Sequence, residues 1–216
     1  MSIVHYGVDP EAFDQPEERN GVRLELGVPL SAPLMLHVGR FIEAKNHCAL
    51  IDIFRLVRRR RPDVHLLLVG QGEFQVQTRA QVASSRLEDC VHFLGRRSDV
   101  PRLMRSSDLL VMPSVREGLP VTLIEAAAAG LRAVASDLPG MQEANEVVCK
   151  ARLLSVSRPI EEWAEAVIES LEAPRLNASA ELELIRKSGM SIGASARKLE
   201  QIYRECGHSA MPLEVG

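Results

Sequence analysis

The sequence has few of the residues that form metal sites or covalent cross-links. Its four cysteines, Cys48, Cys90, Cys149 and Cys206, show no paired spacing, and its six histidines form no HxxxH or HxxE cluster. It also has no Asp-x-Asp motif, which could hold a divalent metal against a diphosphate. These patterns argue against a zinc site and a disulfide framework. We therefore expect reduced cysteines and no bound metal.

Long apolar runs and aromatic residues are also scarce. No apolar run reaches the ~20 residues that a membrane-spanning helix needs, and the start MSIVHYGVDP lacks the basic, apolar and small-residue pattern of a signal peptide. We therefore expect a cytoplasmic protein. Aromatic residues make up 4% of the chain, so the sequence does not favour base stacking with single-stranded nucleic acid.

The most prominent charge run is RLVRRRR over residues 55–61, at the end of a predicted helix and just before Pro62. A membrane or nucleic-acid patch is one interpretation of this run. We favour a solvated helix end, because cations in the last turn of a helix complement its dipole. The chain as a whole has a net charge of -3, which is ordinary for a globular protein.

Residues 34–154 alternate short apolar runs with segments of helical period, a pattern typical of a parallel sheet covered on both faces. The predicted strands are 34–39, 64–70, 91–95, 108–112, 132–137 and 151–155. The predicted helices are 16–28, 46–60, 73–86, 99–106, 120–130, 140–146, 159–172, 179–188 and 192–206. We therefore predict an α/β fold with a doubly wound, parallel six-stranded sheet, and C-terminal helices and a tail over residues 175–216.

Ligands of open parallel sheets bind beyond the carboxyl ends of the strands, so the loops that follow the strands are the candidate sites. The first loop, GRFIEAKNH over residues 39–47, places Arg40 and Lys45 before a helix N-terminus. Both the cations and the helix start suit a diphosphate. Two basic residues in nine are also common on an ordinary surface, so the loop alone leaves phosphate binding open.

The second and third loops are less specific. Two glycines in VGQGE, residues 69–73, allow either a close ligand or a tight turn. This loop lacks the third glycine of a dinucleotide fingerprint, which argues against a nicotinamide-dependent dehydrogenase. The third loop, residues 94–101, offers backbone groups with Arg96 and Arg97, or a solvated turn capped by Ser98 or Asp99.

The fourth loop, PSVREGLPVTLIEAAAAG over residues 113–130, contains two glutamates eight positions apart. The same interval occurs twice elsewhere in the chain, so the spacing alone indicates nothing. Gly118 and Leu119 expose N–H groups at a predicted helix start, which suits a phosphate. Burying Glu125 in the apolar helix costs on the order of several kcal/mol unless hydrogen bonds satisfy it. The alternative is that Glu117 caps its own turn and Glu125 reaches solvent.

The segments HVGRFIEAKNH, LLLVGQGE and VHFLGRRSDVPRLMRSSDLLVMPSVREGLPVTLIEAAAAGLRAVASD occur in this order. Together they resemble the C-terminal, donor-binding domain of retaining GT-B glycosyltransferases of family 4, the group 1 glycosyl transferases. The resemblance covers almost the whole chain and implies one Rossmann-like domain over residues 1–216. Residues 1–15 resemble the segment that joins the two domains of those enzymes. The form EGLPVTLIEA resembles members that build capsular or extracellular polysaccharides.

The resemblance implies a nucleotide-diphosphate sugar as donor, linked to UDP or GDP, and metal-independent transfer that retains the anomeric configuration. No other cofactor is implied. Arg40 and Lys45 match the pair that holds the diphosphate and stabilises its charge as it leaves, and Glu117 matches the glutamate that faces the sugar. These three are the implied catalytic residues. The implied contacts to the nucleotide sugar are Gly39, Arg40, Lys45, Leu94, Arg96, Arg97, Glu117, Gly118, Leu119, Val121 and Glu125.

Within this implied set, each part of the donor has its own contacts. The N–H groups of Gly118 and Leu119 match donors to the phosphate, and Glu125 matches a carboxylate that binds ribose hydroxyls. The 94–97 turn matches the place where the base contacts the main chain.

Enzymes of this family bring the acceptor on a first Rossmann-like domain, which this sequence lacks. We therefore expect the chain alone to be inactive. Membrane contact is expected only through the missing domain or a lipid-linked acceptor. A second hypothesis is a nucleotide-sugar binding or interaction module without transfer activity. A third is a GT-B epimerase acting on a UDP-sugar, which the paired glutamates and the GRFxxxK loop disfavour.

Overall fold

Six short apolar segments form one parallel sheet in the order β3-β2-β1-β4-β5-β6. In chain order the strands are β1 (Leu34–Val38), β2 (His65–Val69), β3 (Val91–Gly95), β4 (Leu109–Met112), β5 (Arg132–Ser136) and β6 (Arg152–Leu154). The structure is a computed structural model that describes residues 4, 6–14 and 19–208. Part of the predicted linker-like start, and the predicted tail beyond residue 208, lie outside these residues.

Nine α-helices lie within the described residues: α1 (Arg19–Glu25), α2 (His47–Arg60), α3 (Gln75–Ser84), α4 (Val100–Ser106), α5 (Val121–Ala128), α6 (Pro139–Ala144), α7 (Ile160–Glu172), α8 (Ala178–Lys187) and α9 (Ile192–His208). Short 3-10 turns occupy Pro10–Ala12 and Glu43–Lys45. None of the described helices combines the length and the hydropathy needed to cross a membrane.

Successive residues of each strand point to opposite faces of the sheet, and each face has its own core. Leu36, Leu110 and Ala133 pack on the face covered by α5, whereas Met35 and Val111 pack on the other face with residues of α2 and α7. Burial on both faces explains why the strands are continuous apolar runs rather than alternating ones. The predicted doubly wound α/β sheet is confirmed.

The chain reverses its direction across the sheet between β1 and β4. From β1 it moves outward through β2 to β3, and it then returns to the other side of β1 to form β4, β5 and β6. Such a reversal is the topological switch point at which open α/β sheets bind ligands. The loops after β1 and β4 therefore border the expected binding crevice.

Most predicted boundaries, including those of α5, are confirmed to within one or two residues, with two exceptions. The predicted helix over 16–28 is α1 (Arg19–Glu25) within the described residues, and Gly27, with φ of 67°, follows its end. The predicted helix over 140–146 is α6 followed by a π-helical turn over Asn145–Cys149, after which Asn145 Oδ1 accepts a hydrogen bond from the N–H of Ala151.

Asp108 joins the ends of three elements on the side of the sheet opposite the carboxyl ends. Its carboxylate accepts from Arg19 Nη2 at 2.5 Å, Arg23 Nη2 at 2.6 Å and the N–H of Leu34 at 2.8 Å. Arg23 is only 3% exposed and also donates to the carbonyl of Ala32. Asp108 therefore ties α1 to the first residue of β1 and to the start of β4.

We predict that Asp108→Ala lowers the free energy of unfolding by about 3 kcal/mol, because it leaves the buried Arg23 cation without its carboxylate. Urea denaturation followed by circular dichroism measures the change. Asp63→Ala is the control, since Asp63 is exposed and its ion pair with Arg61 is long, at 3.8 Å. Equal losses in the two variants would contradict the anchoring role of Asp108.

Candidate functional site

A buried ion pair joins the loops after β1 and β4. Lys45 Nζ lies 2.5 Å from Glu117 Oε1, and the two side chains are 17% and 10% exposed. Ser114 Oγ donates to the same carboxylate oxygen at 2.8 Å, and the N–H of Val115 donates to the carbonyl of Ala44 at 2.9 Å. The sequence placed Lys45 and Glu117 on separate loops with separate roles, whereas the structure puts their charged groups in direct contact.

The turn after Glu117 presents backbone groups in front of α5. No group within the described residues accepts a hydrogen bond from the N–H of Gly118 or of Leu119. The start of α6 packs closely against this turn, since a Cβ atom added to Gly140 would lie 1.9 Å from the carbonyl oxygen of Gly118. The start of α6 therefore supports this turn, and the N–H groups of the turn stay available to an anion.

Glu125 follows Glu117 in the sequence, lies in α5 and is partly buried. Burial raises the pKa of its carboxyl group. In the described part of the chain no group donates a hydrogen bond to it, so Glu125 differs from the paired Glu117. Its predicted contact with ribose hydroxyls stays a prediction.

Two clefts flank the first loop, and each contains some of the predicted site residues. One, of about 510 Å³, is lined by Lys45, Glu117 and Gly118, together with Arg116 and Leu138. The other, of about 450 Å³, lies between the carboxyl ends of β1 and β2 and the loop after β3. Both volumes lie within the range of small-molecule sites.

The second cleft contains Gly39, Arg40, Arg96 and Arg97, and also Gln71, which the sequence analysis did not name as a site residue. Gln71 follows β2, the neighbour of β1, and this position is the feature that could have identified it. Arg40 and Arg96 are exposed, and no carboxylate in the described residues pairs with either. The cleft therefore offers two cations to an anionic ligand.

Arg97 is held by acidic neighbours. It donates from Nε and Nη2 to the two carboxylate oxygens of Asp99, at 2.7 and 2.8 Å, and from Nη1 to Glu25 at 3.1 Å. This guanidinium lowers the pKa of Asp99 to about 2. The predicted cap by Asp99 on α4 is not formed, because its carboxylate binds Arg97 instead. The side chain of Arg97 thus braces the loop.

Three predicted apolar residues are partly buried against the hydrophobic core on the α5 face of the sheet: Leu94, Leu119 and Val121. Their side chains face the hydrophobic cluster, and neither cleft is lined by these residues or by Glu125. Any contact of the three apolar residues with a ligand is therefore expected through the backbone. The roles that the resemblance implies for them stay predictions.

The glycines of the second loop pack against the first loop. A Cβ atom on Gly70, whose φ is 135°, would lie 1.9 Å from the carbonyl oxygen of Gly39. One on Gly72 would lie 2.4 Å from the carbonyl oxygen of Phe41, whose N–H donates to the carbonyl of Gln71. The loop therefore forms a tight turn that supports its neighbour, and Gly70 also lines the second cleft.

Two histidines, His37 in β1 and His47 at the start of α2, lie buried beside the ion pair and were not identified from the sequence. The ring of His47 stacks on Phe41 with centroids 4.0 Å apart, and it meets the ring of His37 edge-on at 4.7 Å. Burial lowers the pKa of His37 to about 4 and that of His47 to about 3. Both rings are therefore neutral at pH 7.

Among the described residues, no group of three or more His, Cys, Asp or Glu side chains is arranged to hold a metal ion. The metal-free reaction implied by the resemblance stays a prediction.

A doubly wound sheet with a crevice at its switch point defines a Rossmann-like α/β protein. The sequence profile of the "Glycosyl transferases group 1" family matches residues 32–173, and the chain belongs to this family. It is 31% identical over 202 residues to "Putative glycosyltransferase EpsF" from Bacillus subtilis (strain 168), covering 92% of this chain and 50% of that protein.

Solved glycosyltransferase structures share the fold. A glycosyltransferase from Rickettsia africae ESF-5 superimposes with a TM-score of 0.81 at 21% identity, over 97% of this chain and 58% of that one. Anabaena Alr3699/HepE, solved in complex with UDP and glucose, gives a TM-score of 0.76 at 22% identity, over 94% of this chain and 56% of that one. The chain thus spans little more than half the length of these proteins.

We predict that the free energy of unfolding decreases as the pH is lowered, because of the two buried histidines. Their folded-state pKa values lie below the ordinary value of 6.5, so the unfolded chain binds more protons in mild acid. The stabilisation is complete above pH 6.5 and is lost as the pH falls through about 4 for His37 and about 3 for His47. Urea titrations should show a loss approaching about 1.4 kcal/mol per pH unit for each histidine between pH 5.5 and 4.5.

His47→Phe separates the two contributions, because phenylalanine keeps a flat ring against Phe41 but cannot be protonated. The free energy of unfolding of this variant should change less per pH unit, because only His37 then contributes. A slope unchanged from the parent chain would show that His47 is not a buried neutral group.

Proposed function

We propose that this chain is the donor-binding part of a retaining glycosyltransferase and binds a nucleotide-diphosphate sugar at the switch point. The observation that supports this most directly is the Lys45–Glu117 pair beside the N–H groups of Gly118 and Leu119. A cation and two backbone donors suit a diphosphate, and a carboxylate suits sugar hydroxyls. The ligands of the HepE complex, UDP and glucose, support the same donor class.

In the proposed reaction the bond between the anomeric carbon and the diphosphate oxygen breaks, and a bond to the acceptor hydroxyl oxygen forms on the same face. The proton of the acceptor hydroxyl goes to the departing diphosphate oxygen, which lies on the same face of the sugar. Negative charge develops on the leaving diphosphate, which Arg40 and Lys45 stabilise, while Glu117 orients the sugar. Groups placed in advance for this charge need no reorganisation during the reaction, and such electrostatic stabilisation is a large term in many enzymes.

The proposed acceptor site lies on a second Rossmann-like domain that docks on this one. An apolar groove of about 370 Å³ supports this, formed where the N-terminal segment runs beside α9 and lined by Tyr6, Ile192 and Leu199. Tyr6 is 82% exposed and Ile192 is more than half exposed. Exposed apolar surface of this kind is typical of protein interfaces. We infer that the product is a polysaccharide or glycoconjugate, on the resemblance of the EGLPVTLIEA segment.

We predict that the chain binds a nucleoside diphosphate weakly and that Arg40→Ala and Lys45→Ala each abolish the binding. Each variant removes a cation from the proposed phosphate site. Calorimetric titration with UDP, GDP and ADP measures the affinities, and circular dichroism checks the fold of each variant. Arg59→Ala is the control, because Arg59 is an exposed arginine of α2 and lines neither cleft. If the unaltered chain bound none of the three nucleotides, the donor site would be wrong.

We also predict that the chain alone neither transfers nor hydrolyses the sugar of its nucleotide-sugar donor, because the acceptor side of the cleft is supplied by the second domain. Release of nucleotide from UDP-glucose or GDP-mannose, followed by chromatography, tests this. Turnover by the chain alone would overturn the two-domain proposal. Binding that never leads to transfer, even with a second domain attached, would favour the binding module. Conversion of a UDP-sugar to its epimer would favour the epimerase.

A further inference from the structure

One buried polar group next to the ion pair, the imidazole of His37, has no role in the proposed function. His37 is fully buried in β1, and its Nδ1 lies 2.8 Å from the carbonyl oxygen of Val111 in β4. Because a carbonyl only accepts hydrogen bonds, Nδ1 carries the proton and Nε2 carries a free lone pair. No described group makes a hydrogen bond to Nε2.

The bond to Val111 lies where β1 and β4 stop pairing. The paired residues of these strands are Met35 with Leu109 and Leu36 with Leu110. One residue further along each strand, the side chain of His37 donates to the carbonyl of Val111. The imidazole therefore sits at the base of the crevice that opens between the two strands.

The free nitrogen of this ring faces the stem of Lys45. A Cβ atom added to Gly39 would lie 3.3 Å from His37 Nε2 and also 3.3 Å from both Cδ and Cε of Lys45. The two side chains thus border the same small space, and the glycine between them lets them approach. A neutral ring leaves this space to the apolar stem of Lys45, whereas a cation at this place would repel its ammonium group.

We infer that His37 is a positioning residue for Lys45: its neutral ring borders the lysine stem and keeps the ammonium group pointing into the crevice towards Glu117. The inference rests on the proposed function, in which Lys45 binds the diphosphate. The titratable groups around His37 are Lys45 and Glu117 in the two loops and His47 in α2. The His47 ring contacts the His37 ring edge-on and, because it is neutral, adds no charge there.

The test observes Lys45 directly in the full chain. The chain has four lysines, so lysine labelled with 13C at Cε yields few resonances, and Lys45→Arg identifies that of Lys45. His37→Asn keeps a donor near the carbonyl of Val111 but removes the ring that borders the Lys45 stem. We expect it to shift the Lys45 resonance and to weaken binding of UDP or GDP by about tenfold. His92→Asn changes a partly buried histidine outside the site and should leave the Lys45 resonance in place.

Gly39→Ala provides a second route if His37→Asn does not fold, because its methyl group enters the space between the ring and the lysine stem. It should also shift the Lys45 resonance. A lower melting temperature with the Lys45 resonance and the affinity unchanged would overturn the inference and leave His37 a purely structural residue. If the unaltered chain binds no nucleoside diphosphate, the proposed function fails, and the ligand-free Lys45 resonance alone decides whether His37 positions Lys45.

Discussion

The site depends on the separation of β1 and β4 at their carboxyl ends. These two central strands pair through only two residue pairs, Met35–Leu109 and Leu36–Leu110, and then part because the chain leaves them in opposite directions across the sheet. The loops that follow are thereby brought to the two sides of one crevice. Across this crevice Lys45 and Glu117 form an ion pair at 2.5 Å. The other elements support the two loops that carry them.

That support comes from backbone packed against backbone. The loop after β2 approaches the loop after β1 so closely that Gly70 and Gly72 leave no room for a side chain. The start of α6 meets the turn at Gly118 in the same way through Gly140. Loops held by main-chain contacts keep their N–H groups in place without a ligand, and a site organised in advance loses less entropy on binding.

The two glutamates of the fourth loop show how context separates identical side chains. Glu117 is nearly buried but is neutralised by Lys45 and hydrogen-bonded by Ser114. Glu125 is partly buried with a raised pKa and, within the described residues, has no donor. In the proposed complex, ribose hydroxyls would supply the missing hydrogen bonds, so a ligand relieves a cost that the free protein bears.

Much of the fold could be predicted from the sequence because local patterns encode it. Apolar runs of strand length indicated the six strands, and residues of helical period indicated the helices between them, such as α2 and α7. The π-helical turn after α6 was not predicted, because helical periodicity does not distinguish it from a continued α-helix. Arg97 was expected near the base, yet its side chain is held by Asp99 and Glu25, the latter 72 residues away along the chain.

By itself, the sequence determined the α/β class, the loops that follow the strands and the candidate residues on them, since these follow from local periodicity and from the chemistry of side chains. The tertiary structure decided which of those residues meet. Lys45 and Glu117 are 72 positions apart, and Gln71 and His37 belong to the site only because neighbouring strands end together. Contacts across a sheet are set by strand order, and strand order is a property of the whole chain rather than of any one segment.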